Sequence, residues 1–532
     1  MTDVREMPQA APAPGAGGAR SRWTALVVLC VSLLIVTLDN TILNVALPTL
    51  VKELGATTTQ LQWIVDAYAL VFAGLMLVAG SSADRFGRRR VFTGGLGVFG
   101  AASAWAAYSG SVGMLIAARA GMGMGAAMMM PATLSIITDV FRDPGERRRA
   151  IGVWAATSGL GIAIGPVAGG LLLEHFWWGS VFWVNIPFAL AGLVCARLLV
   201  PESRNSAATR PDPAGSVLSI AGLGLLVWGI IEAPVRGWTS GIVLGACGAG
   251  VVVLVCFALW ERTTTHPMLN LRFFADRRFS FATSSVALAM FGLFGALFVL
   301  TQYLQFSLGY SALATGVRIL PVAGLLAVVA PLSPVLVRAA GTKVVVGTGL
   351  LVVAGGLWQL SRADVSSTYG DVLAGMLLLG LGAGLVVPAS LDSLMSTLPP
   401  GDTGVGSASN GVSVQLGGAL GVAVIGSLLT SRYQNRMGPP IAPYHLPGAL
   451  SDRVLGSLGG ALALAERVGG TSGRLLAALA RSAFVSGMDL GLSVGAAVAA
   501  AGAALAFAGL PSRPPGAAAT QASAENPDPE RN

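Results

Sequence analysis

Apolar residues arrive along this chain in long blocks, separated by short breaks that carry arginine, glycine, proline or acidic residues. A helix that crosses a bilayer needs about 20 mostly apolar residues. On that ruler the sequence predicts fourteen spans, at 23–50, 59–79, 91–109, 112–137, 150–173, 180–200, 215–233, 241–260, 280–306, 313–337, 343–361, 371–393, 404–430 and 484–509. An even number of crossings puts both ends of the chain on one side. The first block is too long for the apolar core of a signal peptide, so no cleavage is expected. Residues 1–22 and 511–532 are rich in Ala, Pro and Gly and poor in large apolar side chains, which predicts disordered tails. The long connection 431–483 contains GALSDRVLGSLGGALALAERVGG and SGRLLAALARSAF, both with apolar residues near helical spacing. One or two short amphipathic helices on the outer surface are expected there.

The pattern repeats. GMGAAMMMPATL, from Gly123 in the fourth span, is echoed by GLGAGLVVPASL, from Gly380 in the twelfth, so that Gly123, Gly125, Pro131, Ala132 and Leu134 recur as Gly380, Gly382, Pro388, Ala389 and Leu391. Gly87 with its arginines recurs, at nearly the same separation, as Gly341 with Lys343. The sequence therefore predicts an all-α polytopic membrane protein with two related six-helix halves, 23–200 and 261–510. A linker and two extra spans, 201–260, lie between them. Paired repeats with a site at their interface are a secondary-transporter architecture.

Composition agrees: 54% of residues are hydrophobic and 11% charged, where a soluble domain carries about 25% charged. The net charge of +8 does not point to nucleic acid, because the basic residues sit in short clusters between apolar blocks, as orientation in a bilayer requires. With the N-terminus placed in the cytoplasm, most of the 33 Lys and Arg residues fall on the cytoplasmic side, the connection 431–483 being the exception. Both termini are thus expected in the cytoplasm of a multi-pass protein of the cell membrane. Cys30, Cys195, Cys247 and Cys256 all lie in apolar blocks without a C-x-x-C, and predict no disulfide framework. His175, His266 and His445 lack metal-ligand spacing, and no metal is expected. No G-x-x-x-x-G-K-[ST] occurs, which argues against ATP hydrolysis. Energy is expected from an ion gradient, with no cofactor. A membrane-bound enzyme or sensor would want a clustered His or Cys site or an appended soluble domain, and the sequence has neither.

Candidate chemistry lies in four stretches. GSSADRFGRRR, from Gly80, places Asp84 where the second span stops and follows it with Arg85, Arg88, Arg89 and Arg90, while Gly80 and Gly87 permit tight turning and close helix approach. LDNTILNVALP holds Asp39 at about 24 Å along the first span, in its outer part, and QWIVDAYAL holds Asp66 one or two turns inside the second. A carboxylate at that depth costs several kcal/mol unless it faces a cavity or a partner, which suits a proton carrier. Arg119, in the fourth span, needs a carboxylate or carbonyl at the same depth, and Asp39 or Asp66 would supply it. GLGIAIGPVAGG, from Gly159, sets Gly161, Gly165 and Gly169 four apart with Pro166 among them, a bare stripe for close packing or for gating.

These stretches, in this order, resemble the fourteen-spanner drug:proton antiporters of the major facilitator superfamily. The resemblance extends to FWWGSVFWVNIP near span six and GYSALATGVRILP before span ten, and so covers nearly all of the chain except its tails. It implies a proton-coupled exporter of hydrophobic or cationic drugs or antibiotics, working by alternating access, functional as a monomer and without nucleic-acid partners. A transporter of one defined metabolite is the alternative. In the resemblance Gly80, Asp84, Arg85, Gly87 and Arg88 form a conformational latch, which belongs mainly to the first half because Arg338 stands where the repeat would put its acid. Asp39, Asp66 and Arg119 couple protons, with Asp39 foremost, and Gly159 to Gly169 pack or gate. The family usually has Gln where this chain has Met122. Asn40, Asn44, Trp154, Gln302, Tyr303, Gln305, Asn410 and Gln415 are candidates for the substrate pathway, whereas Glu232, Asp392 and Asp489 lie near span ends, where a solvated carboxylate is unremarkable.

Overall fold

The computed structural model describes residues 16–204, 211–265, 267–268, 271–398 and 403–510. Among these the chain is helical, with no strand. In order the helices are α1 (Ala16–Leu54), α2 (Thr58–Phe86), α3 (Arg88–Ala107), α4 (Val112–Val140), α5 (Pro144–His175), α6 (Ser180–Trp183), α7 (Asn185–Leu199), α8 (Pro213–Arg236), α9 (Gly241–Thr263), α10 (Arg277–Gln302), α11 (Ala312–Val329), α12 (Ser333–Ala340), α13 (Thr342–Ser361), α14 (Tyr369–Met395), α15 (Thr403–Ile441), α16 (Gly448–Gly456), α17 (Leu458–Val468) and α18 (Gly470–Gly509). Starts are set by local chemistry. Thr57 and Gln60 form a reciprocal cap on α2, and Asp143 and Asp212 cap α5 and α8, each just ahead of a proline at the first helical position.

Several boundaries differ from expectation. α1 already begins at Ala16, inside the stretch expected to be a tail, while residues 1–15 and 511–532 lie outside the described residues. The tenth span is broken at Pro331, which has no N–H to donate, so α11 and α12 are separate. GALSDRVLGSLGGALALAERVGG forms α16 and α17, but SGRLLAALARSAF is no surface helix of its own: it is the first part of α18, which runs unbroken to Gly509.

Thirteen helices among the described residues are long and apolar enough to cross a membrane. The predicted span 91–109 falls outside that set because its helix, α3, opens on three arginines and is diluted by glycine, alanine and serine. Geometry nevertheless makes α3 a crossing. The Ile64 carbonyl of α2 meets Arg119 of α4, the Tyr68 carbonyl meets Gly123 and Gly80 meets Pro131, so α2 and α4 run parallel. A chain can enter two neighbouring helices in the same direction only by returning between them. α3 makes that return, antiparallel to α4, with Ala102 against Gly121, Phe99 against Gly125 and Gly95 against Met128.

The repeat seen in the sequence is a repeat of close backbone approaches. A Cβ on Gly123 would stand 2.5 Å from the Tyr68 carbonyl oxygen of α2, and one on Gly380 2.5 Å from the Val322 carbonyl oxygen of α11. Gly125 would likewise meet the Phe99 amide nitrogen of α3 at 2.7 Å, and Gly382 the Val353 nitrogen of α13 at 2.8 Å. The loop glycines Gly87 and Gly341 have φ of 115° and 85°, a region that L side chains avoid. Each half is thus knit around α4 or α14, and the halves meet along α2 with α15 and α5 with α11. α8 lies over the α2/α15 seam through Val227 and Ile231, beside Ala69, Leu70, Ala419 and Ala423. α9 packs chiefly on α8 and is the most exposed span.

If these approaches hold each half together, Gly123→Ala must push α4 away from α2, at about 1–3 kcal/mol for overpacking. Gly159→Ala meets open space and should leave the thermal unfolding midpoint in detergent unchanged or slightly higher. Equal midpoints for the two variants would contradict the packing described.

Candidate functional site

The centre of the first half is one enclosed charge. Arg119 is 0% exposed, and its Nη1 donates to Asp39 Oδ2 at 2.6 Å, its Nε to the Ile64 carbonyl at 3.2 Å. The guanidinium lies 4.3 Å from the centre of the Tyr68 ring, and Met122 Sδ stands 3.9 Å from Nη1. Met122 therefore offers only a soft, weak acceptor at a position that touches the charge directly. Asp39 is held from the other side by Asn185 Nδ2 at 2.9 Å, and the same amide reaches Ser103 Oγ at 3.5 Å. The expected pairing is thus with Asp39, and four elements, α1, α2, α4 and α7, converge on it.

Asp66 is different. It is 0% exposed, and neither carboxyl oxygen has a hydrogen-bond partner. Arg119 Nη2, the Tyr68 hydroxyl and Asn185 Oδ1 are also buried without partners. Spare donors and acceptors therefore remain in the same half as the ion pair.

The candidate pathway residues separate on inspection. Asn410 Oδ1 and Gln415 Nε2 on α15 are buried and unpartnered. Asn44 bonds the Asn40 carbonyl one turn back on α1, and Gln302 bonds the Phe298 carbonyl of its own helix. Trp154 is half-buried, its Nε1 donating to Thr133 Oγ1 at 3.2 Å. Tyr303 does not wall a pathway: it is fully buried in the second half, its hydroxyl donating to the Asp364 carbonyl at 2.6 Å. Gln305, set on the π-helical turn Tyr303–Ser307 that extends α10, crosses to the first half and donates to the Val45 carbonyl at 3.0 Å.

Of the glycine stretch, Gly161, Gly165 and Gly169 pack against Thr37, Thr41 and Ile42 of α1, whereas Gly159 faces open space. The stripe joins α5 to α1 inside the first half. The contact between halves falls to Pro166, whose carbonyl abuts Gly316 of α11, and to Gly170, against Leu313.

At the other end, the loop after α2 is a compact ionic knot. Asp84 pairs with Arg88 at 2.8 Å, and Arg88 Nη1 donates to the Ser135 carbonyl of α4 at 3.2 Å with Asp139 at 4.0 Å. Glu202, just past α7, reaches Arg89 and Arg90 at 3.6 and 3.7 Å and accepts the Arg89 amide. A Cβ on Gly87 would stand 2.7 Å from Glu202, and Gly80 rests on Pro131. Arg85 takes no part and lies beside the exposed Phe86 ring.

Glu232 pairs with Arg236 of its own helix, Asp489 accepts from Ser493 one turn on, and Asp392 is exposed, so none of the three joins the site. His175 contacts the Leu171 carbonyl, His445 sits in an exposed loop, and His266 lies outside the described residues. Sequence reading missed Asn185, Ser103, Tyr68, Glu202 and Asp139. Asn185 carried a signal, as the only amide side chain in the apolar run 180–200.

Comparison with known proteins shows the family. The family model described as Major Facilitator Superfamily matches residues 29–422. The chain is 34% identical over 516 residues to the tetracenomycin C resistance and export protein of Streptomyces glaucescens, covering 95% of each. It is 36% identical to the multidrug efflux pump LfrA of Mycolicibacterium smegmatis, over 88% of this chain and 92% of that one. To the puromycin resistance protein pur8 of Streptomyces alboniger it is 39% identical, over 77% of this chain and 82% of that one. Among solved structures, a bacterial homolog of the human lysosomal transporter Spinster, inward-facing and unoccupied, superposes with a TM-score of 0.63 at 17% identity, over 92% of this chain and 98% of that one. With the fold of two six-helix halves and two additional helices in place, and with relatives this similar along nearly all of its length, the chain belongs to the major facilitator superfamily.

Proposed function

We propose that this protein exports hydrophobic or cationic drugs or antibiotics across the cytoplasmic membrane in exchange for protons, by alternating access and as a monomer. The observation that carries the reading is an unpartnered, fully buried carboxyl, Asp66, in the same half as the enclosed Asp39–Arg119 pair, in a chain similar along its length to named efflux proteins. The arginine-rich loops support a cytoplasmic position for their end of the bundle and for both termini.

The hydrogen bonds between the halves lie at the opposite, outer end: Gln62 to Val422 and Ala423, Gln305 to Val45, and Glu174 to the Leu313 amide. Toward the cytoplasm from the Pro166–Gly316 contact, Gly152, Gly159 and Gly324 meet open space. We read this as a form closed at its outer end. Here an ionised Asp66 would cost many kcal/mol, since nothing compensates it, so the side chain holds its proton. Asp39, by contrast, has a cation and an amide on its two oxygens. We therefore assign the carrier role to Asp66 in place of Asp39, expected foremost, and read Asp39 as the counter-charge that keeps Arg119 in place.

The two acids then answer differently to the same substitution. Asp66→Asn replaces a protonated acid by a neutral isostere: folding should survive, and gradient-driven drug efflux from proteoliposomes after a pH step should be lost. Asp39→Asn strands Arg119 and should cost about 3–5 kcal/mol of stability, read as a lowered unfolding midpoint. An Asp66→Asn protein that exports drug at the wild-type rate in response to the pH step would end the proton-carrier reading. A susceptibility profile across chemically varied antibiotics in a pump-deficient host separates broad export from transport of one metabolite.

The knot of Asp84, Arg88 and Glu202 ties α2, α3, α4 and α7 together at the cytoplasmic rim, away from any drug contact. Asp84→Asn should slow turnover about two- to fivefold, the factor that a partly exposed ion pair contributes. Drug Kd measured by equilibrium binding should barely move, and a large loss of affinity at unchanged turnover would refute this assignment.

A further inference from the structure

Gln62 lies one turn before Asp66 on α2, is 0% exposed, and reaches across the seam between the halves. Its Nε2 donates to the carbonyls of Val422 at 3.0 Å and Ala423 at 2.9 Å, and lies 3.3 Å from Ser427 Oγ, all on α15. Within a helix those carbonyls already accept the N–H groups one turn on, so the amide occupies their second lone pairs. It fits only because residue 426 is glycine, where a Cβ would stand 2.6 Å from Nε2. The amide has spent its donors on the other half. Gln62 Oε1 and both oxygens of Asp66 have no partner. Yet a Gln and an Asp four apart on one helix are within hydrogen-bonding reach of each other.

We propose that Gln62 is a positioning residue for transport: it clasps α15 and holds the outer end closed while Asp66 carries its proton, and lets go when Asp66 ionises and draws the amide to itself. This rests on the reading of Asp66 as proton carrier. When Asp66 passes its proton to water on the cytoplasmic side, a neutral acceptor one turn away becomes an ionised one. Hydrogen bonds to ionised acceptors are roughly twice as strong as those between neutral groups. The carboxylate therefore outcompetes the carbonyls of α15. Charges on the elements packed against α2 leave this competition undisturbed. Arg119 of α4 and Asp39 of α1 are bound to each other, and Glu232 and Arg236 of α8 form their own pair. Asp84, Arg85 and Asp139, with Arg88, Arg89 and Arg90 of α3, are at the opposite end of α2 and α4, and α15 has no charged residue between Thr403 and Thr430.

The test is a distance measurement between spin labels at Glu53 and Asn435, exposed positions at the outer ends of α1 and α15, in the full-length protein in nanodiscs with the four cysteines replaced. The unmodified clasp should be closed at acid pH and open as pH rises. Gln62→Leu should shift the closed-to-open ratio about fivefold toward open, the factor of one neutral hydrogen bond, and abolish the pH response. Gly426→Ala, which crowds the amide out, should give the same shift, and the double variant no more than either alone. It also carries the test if Gln62→Leu fails to fold. A purely structural glutamine would lower the unfolding midpoint and leave the distances and their pH response untouched, and that result, or additive effects in the double variant, would overturn the proposal. Asp66→Asn separates the two readings. If it locks the outer end closed at every pH, the link from Asp66 to Gln62 holds. If its outer end still opens with pH while Gln62→Leu opens constitutively, the proton-carrier reading fails and so does the link that rests on it.

Discussion

An arginine with no exposure to water, set within a membrane-spanning helix, has to have its charge and its donors met by the protein itself. Arg119 meets most of that demand with Asp39 from α1, the Ile64 carbonyl and Tyr68 ring from α2, and Met122 from its own helix, leaving Nη2 without a partner, while Asn185 of α7 steadies the acid. Every one of those contacts fixes a helix at a particular depth and rotation. The first half is therefore arranged around one charge. Asp66 stands out because that network does not include it, and a titratable group outside the network is free to change its state without dismantling the half.

The second half repeats the scaffold and omits this chemistry. Gly123 and Gly380 bring the same pair of helices into backbone contact in each half, as do Gly125 and Gly382. Without a hydrophobic drive between helices in lipid, close packing of small residues supplies the association, and backbone positions repeated in this way make two bodies of the same shape. The second half's own intramembrane cation, Arg318, has other partners, the rings of Tyr310 and Tyr369 and the Ala314 carbonyl, with its Nε left without one. Two like bodies with unlike interiors can rock against each other while the ionic chemistry stays in one of them.

What joins the bodies includes, beside the Pro166–Gly316 and Gly170–Leu313 approaches, contacts of a different kind. Within a half the contacts are bare glycine on backbone, which cannot be undone without voids. Between the halves at the outer end they include single amides, Gln62 and Gln305, on carbonyls that keep their helical bonds when the amide leaves. The cost of parting these amides is small, on the order of one hydrogen bond for each. α8 covers the α2/α15 seam, and α9 adds an outer layer to it, without entering either body.

Much of this was legible in the chain. Length and apolarity of the blocks dictated membrane-spanning helices, because a spanning backbone must satisfy its own hydrogen bonds. The recurrence of Gly123 and Gly125 as Gly380 and Gly382 revealed two halves, and the depth of Asp39, Asp66 and Arg119 marked the site. Periodicity and depth are one-dimensional quantities, and they carry no rotation about the helix axis. That rotation decided the rest: that Arg119 takes Asp39 and leaves Asp66 alone, that Gly161, Gly165 and Gly169 face α1, and that Gln305 crosses between halves while Tyr303 is sealed inside one. Glu202 closing on Arg89 and Arg90, and Gln62 finding α15 far along the chain, depend on which helices become neighbours. A polar side chain is recognisable from its own sequence surroundings, but its partner is chosen only when the helices pack.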